Sequence, residues 1–507
     1  MKALLMHEDR DLDLAAGFPR HERALAQDLA LDTLLRAMAR DDGLVLDVSR
    51  RALLCGLAND VDTILYRQDV LKDCLGNPET VRALYALAVE AIENRRKHYF
   101  GIYSRYPGSI LHGAVELLQM FVGMLRRLRT IADAEAGRFG SHGLTRLFCT
   151  VQDEFTDEYF ARIEAHLREL KFRSGVLLSA ELGEGTAGTR HMLRLPLDRR
   201  PAWLLRLLGK RKPAYTFHLH ERDEAGGRIL SELRERGINA AANAVAQSAE
   251  HVLGFFHMLR AELAFYVGCL NLHERLAALG TPVCIPQPQA LRAGRHRAVG
   301  LRDVSLALSM GRSVVGNALE ADGKRLVIVT GANQGGKSSF LRSVALAQLM
   351  MQAGMFVAAE SFSAELCAAL FTHYRREEDA AMEKGKLDEE LSRMSELVEA
   401  LAPNALLLFN ESFAATNERE GSEIARQIVG ALLDSGAHAR IFYVTHLYEF
   451  ARGVFDAGRR DALFLRAERR ADGTRTFRVV EAEPLATSFG EDLYRRIFVD
   501  AAEGAEA

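Results

Sequence analysis

Arg325-Leu326-Val327-Ile328-Val329-Thr330-Gly331-Ala332-Asn333-Gln334-Gly335-Gly336-Lys337-Ser338 is an apolar, β-rich run that empties into a glycine-rich turn, and a helical pattern from Ser339 to Met351 follows it. The turn fits G-x4-G-K-[ST] between a strand and a helix, the context that a phosphate-binding loop requires. Gly331, Gly335 and Gly336 let the backbone turn so that successive N–H groups aim at phosphate oxygens. The N-terminus of the following helix offers its positive end to the same anion. Lys337 supplies a point charge for the β- and γ-phosphates, and the Ser338 hydroxyl is a ligand for Mg²⁺. Ala332, Asn333 and Gln334 complete the loop and Ser339 continues it, so Gly331 to Ser339 are the candidate ATP-binding residues.

Toward the C-terminus, a second apolar strand, Ala405-Leu406-Leu407-Leu408-Phe409, ends at Asn410-Glu411. This position in P-loop ATPases usually holds an acidic residue near Mg²⁺, and a following glutamate can orient the attacking water. Glu411 is therefore the candidate general base, and Asn410 a weakened, second-shell contact to the metal. A third strand, Ile441 to Thr445, delivers His446 to the same sheet edge, where open α/β sheets bind ligands. His446 is thus a candidate catalytic contact to the γ-phosphate.

Toward the N-terminus, Pro282, Pro286 and Pro288 mark the best domain boundary, because proline removes backbone donors and disfavours helix before it. From about Arg20 to Leu170 apolar residues recur every three or four positions; Val115, Leu118, Phe121, Val122 and Leu125 share one face. Val176-Leu177-Leu178 and Met192 to Leu195 flank the loop Gly183 to Thr189 and predict a β-hairpin, with Tyr215 to His220 as a third strand. Helix returns from Arg228 to Leu276. The expected organisation is a helical core and lever region over 1–173, a β insert over 174–227, a returning helix over 228–281 and an α/β domain over 282–507.

The 507 residues carry a formal net charge of −3, so no global positive field advertises nucleic acid, and any such contact must come from a local patch. Arg199, Arg200, Arg206, Lys210, Arg211 and Lys212, interleaved with Trp203, form the densest basic cluster. Three readings stand: phosphate contacts to DNA, a solvated basic face, and an amphipathic membrane-surface segment. Arg126-Arg127-Leu128-Arg129, read as a helix end, either contacts DNA or complements the helix dipole. The six cysteines are scattered without metal spacing, the N-terminus lacks an apolar signal segment, and no run of about eighteen apolar residues occurs. A cytoplasmic protein without a membrane span is expected.

The run Thr330 to Ser339, with its loop asparagine Asn333, resembles the Walker A motif of the MutS family of DNA mismatch-repair ATPases. Leu406 to Gly421 resembles that family's Walker B segment and the loop beyond it, Tyr443-Val444-Thr445-His446 its histidine motif, and Thr487-Ser488-Phe489-Gly490 its late Ser-aromatic-Gly element. The likeness covers roughly 295–498, with four motifs in the family's order. A weaker likeness lies at Asp62 to Asp69, in the manner of the helical core and lever region. The resemblance implies an ABC-like P-loop NTPase domain of α/β class, a mainly α-helical core and lever region with a small β insert near the clamp position, ATP and Mg²⁺ as cofactors, and a homodimer with ATP sites at its interface.

Departures from the family pattern shape the expected function. Asn410-Glu411 stands where the family has Asp-Glu; losing a full charge beside Mg²⁺ weakens metal binding by several kcal/mol at an effective dielectric of about 20, before water compensates. Gly385 falls where the family has a serine reaching the partner subunit's nucleotide, with Lys384 or Lys386 as candidate substitutes. By this likeness, counterparts of the mismatch-reading and connector domains, of the Phe-x-Glu wedge and of a following nuclease-like domain are not expected. The expectation is a weak ATPase acting as a nucleotide-switched DNA clamp in repair or recombination, without mismatch reading. The alternative is a MutS-like switch acting on a protein partner, with no direct DNA contact.

Overall fold

The computed structural model describes residues 2–97, 106–173, 175–194, 217–376, 385–470 and 472–485. Two compact units emerge: Met1–Ala3 with Arg82–Phe139 and Thr145–Arg260, and Leu4–Val81 with Gly140–Leu144 and Ala261–Ala507.

In the first unit, the helix Pro107–Glu135 starts on a proline whose missing N–H costs nothing at that position, and it buries Leu111, Val115, Phe121, Leu125 and Leu128 along one stripe. Phe121 stacks on Phe256 of the helix Glu224–Ala278, with ring centroids 5.8 Å apart. Strands β1 (Leu177–Leu182) and β2 (Gly188–Arg194) form the expected antiparallel hairpin. The expected third strand does not form in its described part: Phe217 to His220 is irregular, Phe217 is 83% exposed, and no sheet among the described residues receives its side chains. Tyr215 and Thr216 lie outside the described residues.

The second basic cluster is also corrected. Arg126, Arg127 and Arg129 sit inside the helix Pro107–Glu135 rather than at its end. Each is committed within the unit: Arg126 to Glu164 at 2.8 Å, Arg127 to Glu90 at 2.7 Å, and Arg129 to Asp133 and to the carbonyls of Gln152 and Phe155.

Two helices, Pro107–Arg138 and Glu224–Ala278, are long and apolar enough to cross a bilayer by length and composition, which a count of unbroken apolar runs does not reveal. In this fold 50% and 72% of their most apolar windows is buried against protein, as in core helices.

The second unit carries strands β3 (Gln287–Gln289), β4 (His296–Leu301), β5 (Asn317–Glu320), β6 (Leu326–Gly331), β7 (Ser361–Glu365), β8 (Ala369–Tyr374), β9 (Ala405–Asn410), β10 (Arg440–Val444), β11 (Ala462–Arg469) and β12 (Arg475–Glu481). One sheet has the order β12-β11-β6-β10-β9-β8, and a smaller one the order β3-β7-β4-β5. In the larger sheet β8, β9, β10, β6 and β11 run parallel and β12 alone is antiparallel. Every position of β6 and β10 is buried, which explains their unbroken apolar sequences: a parallel strand covered on both faces has no polar side. The helix Lys337–Ala353 touches β6, β9 and β10 as well as β3 and β4, so it is buried along nearly its whole length.

Candidate functional site

The parallel register brings the C-terminal ends of three strands to one edge. β10 pairs with β6 through Val444 and Val329, and with β9 through Val444 and Asn410. The glycine loop after β6, Glu411 after β9 and His446 after β10 therefore emerge side by side.

The loop needs its glycines for stated reasons. Gly331 has φ +107, and a Cβ there would lie 2.9 Å from the backbone nitrogen of Ala467 on β11. Gly336 has φ +91 and caps the helix that begins at Lys337. Both conformations are costly for residues with a side chain. Asn333 and Gln334 are exposed at the loop's crest, with Gln334 at φ 56.

Lys337 folds back into the loop, donating to the carbonyls of Gly331 and Ala332, each at 3.0 Å. Burial pushes its pKa down to about 8; Glu411 opposes this and Arg475 adds to it. The Ser338 hydroxyl donates to Asn410 Oδ1 at 3.0 Å, so two expected metal contacts meet. Glu411 takes φ 55, an uncommon conformation for a non-glycine residue, and its N–H donates to the Val444 carbonyl at 2.8 Å. Its Oε1 lies 2.9 Å from His446 Nε2. The hydrogen bond from His446 holds the Glu411 carboxyl below the usual carboxylate range, burial opposes it, and the charges of His446, Lys337 and Arg375 reinforce it. Lys337, Ser338, Asn410, Glu411 and His446 thus form one continuous polar patch at the sheet edge.

Beside Gly336 and Ser339 opens a cavity of about 340 Å³, whose mixed wall includes Leu301, Val315, Phe340 and Phe477 with Asn317 at its rim. Sequence reading missed these residues. Phe340 belongs to the helix that follows the loop, whereas Leu301 ends β4, Val315 precedes β5, and Asn317 and Phe477 lie on β5 and β12, so these four reach the loop only through the fold. Arg475, the first residue of β12, was missed for the same reason.

Residues 59–279 match the family described as the MutS2 N-terminal domain, and residues 327–499 match MutS domain V. The chain belongs to the MutS family. A DNA mismatch repair protein MutS of Porphyromonas gingivalis is 34% identical over 181 residues, 35% of this chain and 20% of the relative. The MutS protein of Syntrophomonas wolfei is 31% identical over 163 residues, 32% and 18% of the two chains, and that of Leptospira interrogans is 23% identical over 269 residues, 52% and 30%. The chain spans a third or less of the length of these curated relatives. The domain V match contains the glycine loop, Asn410, Glu411 and His446 of this MutS-family chain.

Gly385 is the N-cap of the helix Lys386–Glu399 and offers no side-chain cap. Arg199, Arg200, Arg206, Lys210, Arg211 and Lys212 lie outside the described residues, as do Lys384 and the run Thr487 to Gly490.

Proposed function

We propose that this chain binds ATP on the loop Gly331 to Ser339, hydrolyses it slowly, and uses the nucleotide state of an ABC-like P-loop domain to switch a homodimeric clamp on DNA in repair or recombination. One observation carries the reading: a buried lysine, a loop hydroxyl, a carboxylate and a histidine meet at the end of adjoining parallel strands, beside a helix N-terminus able to receive an anion. Phosphates would sit on the loop, exchanging the carbonyls that now hold Lys337 for anionic oxygens. The neighbouring cavity, with its apolar wall, is the natural seat for a flat base. Glu411 would take the proton of the attacking water, with His446 holding the carboxylate in place. For DNA as the partner, support comes from the relatives' name, DNA mismatch repair protein MutS.

Mg²⁺ would find Ser338 Oγ and Asn410 Oδ1, two neutral oxygens now joined by the hydrogen bond that Ser338 donates. Slow turnover follows from this donor set. Asn410→Asp is expected to tighten Mg²⁺ about tenfold or more and to raise turnover, since a charge a few ångströms away counts for several kcal/mol even at an effective dielectric of about 20. Steady-state ATPase assays across Mg²⁺ concentrations check this; a wild-type rate already in the ordinary enzyme range would sink the slow-hydrolysis reading.

Lys337 sets a pH dependence. Its pKa near 8 in the free site means that the ammonium is lost as pH rises past that value, whereas bound triphosphate holds the proton. Affinity is therefore expected to be flat below about pH 8 and to fall about tenfold per pH unit above it. Titrations with a fluorescent ATP analogue between neutral and alkaline pH measure it, and a flat profile would remove Lys337 from the phosphate contacts. For DNA, binding to matched, mismatched and branched duplexes is followed against salt; affinity that ignores salt and nucleotide alike would overturn the clamp.

A further inference from the structure

We propose that Arg475 is a further triphosphate-binding residue, built into the same subunit, and that with Asn410 it makes nucleotide binding largely independent of Mg²⁺. The inference rests on the nucleotide reading above and names how that site handles charge.

Topology brings Arg475 to the phosphates. The parallel strands end at the loop, and β12 runs the other way, so it begins at that edge. Ala467 on β11 pairs with Gly331 of β6, and Arg475 pairs with Arg469, two residues further toward the loop side. Two residues into β12, the Phe477 carbonyl oxygen comes within 3.3 Å of where a Gly336 Cβ would stand. The strand that starts with Arg475 therefore lies directly against the phosphate loop.

Arg475 Nε and Nη2 are buried and have no hydrogen-bond partner among the described residues. Other arginines of this unit are committed: Arg440 to Glu365 at 2.7 Å, Arg342 to Asp303 at 2.6 Å, Arg325 to the Leu433 carbonyl at 2.7 Å. Burying a cation without acceptors is costly, and it persists where a ligand supplies them. The field of Arg475 also reaches Lys337, where that of Glu411 opposes it.

The metal donors point the same way. Magnesium is a hard ion, held by carboxylates and phosphate oxygens. Here Ser338 and Asn410 offer neutral oxygens, one Glu411 oxygen is bonded to His446, and no group of three His, Cys, Asp or Glu that could hold a metal occurs among the described residues. The set does not fit a tightly held divalent ion. Asn410, where the resemblance implies aspartate, leaves one negative charge fewer beside the phosphates, and Arg475 places one positive charge on the same edge. Less of the triphosphate's charge is then left for a divalent ion to neutralise. Guanidinium is suited to the task because its planar donors pair with phosphate oxygens without giving up a hydration shell as tightly held as that of Mg²⁺.

Binding of a fluorescent ATP analogue to the full chain, with excess Mg²⁺ and with EDTA, tests this. Wild-type affinity is expected to change by less than about threefold between the two conditions, and Arg475→Gln to lose about 10- to 100-fold in EDTA with partial recovery in Mg²⁺. Arg475→Lys should recover only part of what Arg475→Gln loses, because an ammonium lacks the planar donors, and Asn410→Asp should make binding depend on Mg²⁺. Because the buried Nε and Nη2 of Arg475 have no acceptor among the described residues, Arg475→Gln is expected to melt at or above the wild-type temperature; should it instead fail to fold, the wild-type comparison in Mg²⁺ and EDTA still decides, and an Arg475→Lys variant with unchanged affinity in EDTA overturns the role of the guanidinium. Wild-type affinity that drops tenfold or more in EDTA overturns the proposal, as does an Arg475→Gln variant that folds and binds normally in both conditions. Absence of binding in both conditions overturns the nucleotide reading instead.

Discussion

Glu411→Gln is expected to leave nucleotide affinity within about threefold while cutting single-turnover hydrolysis by about 10²- to 10⁴-fold, the range in which a positioned base contributes. The geometry argues for so large a separation. Glu411 follows the last residue of β9, in a left-handed conformation held by its own N–H on the Val444 carbonyl, so the backbone turn survives the substitution. Glutamine keeps the side chain's length and an oxygen for His446 but cannot accept a proton from water. The wild-type carboxyl lies below its usual pKa, chiefly through the His446 hydrogen bond, and stays ionised throughout the neutral range. That same depression makes it a weak base, a second reason for slow turnover besides Asn410. His446→Ala should let the carboxyl rise toward its ordinary value and shift the acid limb of the pH–rate profile upward, a change that a purely structural histidine would not produce. If Glu411→Gln hydrolyses ATP within about threefold of wild type in a single turnover, Glu411 is not the base.

Much of this site is legible because its signals are local. The glycine loop is punctuated by residues that only a tight turn needs, and the strands before Asn410 and His446 are apolar because the parallel sheet buries both their faces. Reading Arg325 to Thr330 as a strand came within one residue of Leu326–Gly331. What escaped notice depends on distant pairing. β3 and β5 are three and four residues long and carry polar side chains, so they show no period of their own and form only because β7 and β4 receive them. Arg475 and Phe477 reach the loop through the one antiparallel partner of β11, and nothing within β12 announces it. At Phe217 to His220 the alternation predicts a strand, and among the described residues no neighbouring strand pairs with it.

The N-terminal segment is the clearest case of structure hidden from local reading, and it carries the largest expected effect on stability. Glu262→Leu should destabilise the second unit by about 3–5 kcal/mol, because it strands three buried donors. Glu262 is fully buried on the helix Glu224–Ala278 and accepts the N–H groups of Leu5 at 2.5 Å, Met6 at 3.4 Å and Leu12 at 3.0 Å. The segment forms no helix or strand over these residues, so its backbone groups have to be met by side chains. Tyr266 donates to the Leu5 carbonyl at 2.6 Å, and Arg67 to that of Met6 at 2.8 Å. Arg67 also donates to the Ala353 carbonyl at 3.3 Å, the last residue of the helix that begins at the phosphate loop. Loss of Glu262 therefore loosens a strap that helps seat that helix. Burial raises the Glu262 pKa to about 7, above its unfolded value, while the three N–H donors hold it down. The folded unit thus binds a proton that the unfolded chain has lost, and stability should fall as pH rises from about 4.5 through about 7. Glu262→Gln keeps one acceptor oxygen and should lie between wild type and Glu262→Leu, with this pH dependence removed. Denaturant unfolding at roughly pH 5 and 8, with amide exchange read at Leu5, Met6 and Leu12, measures both effects. Unchanged protection of those amides in Glu262→Leu would mean that the strap is held by Tyr266 and Arg67 alone.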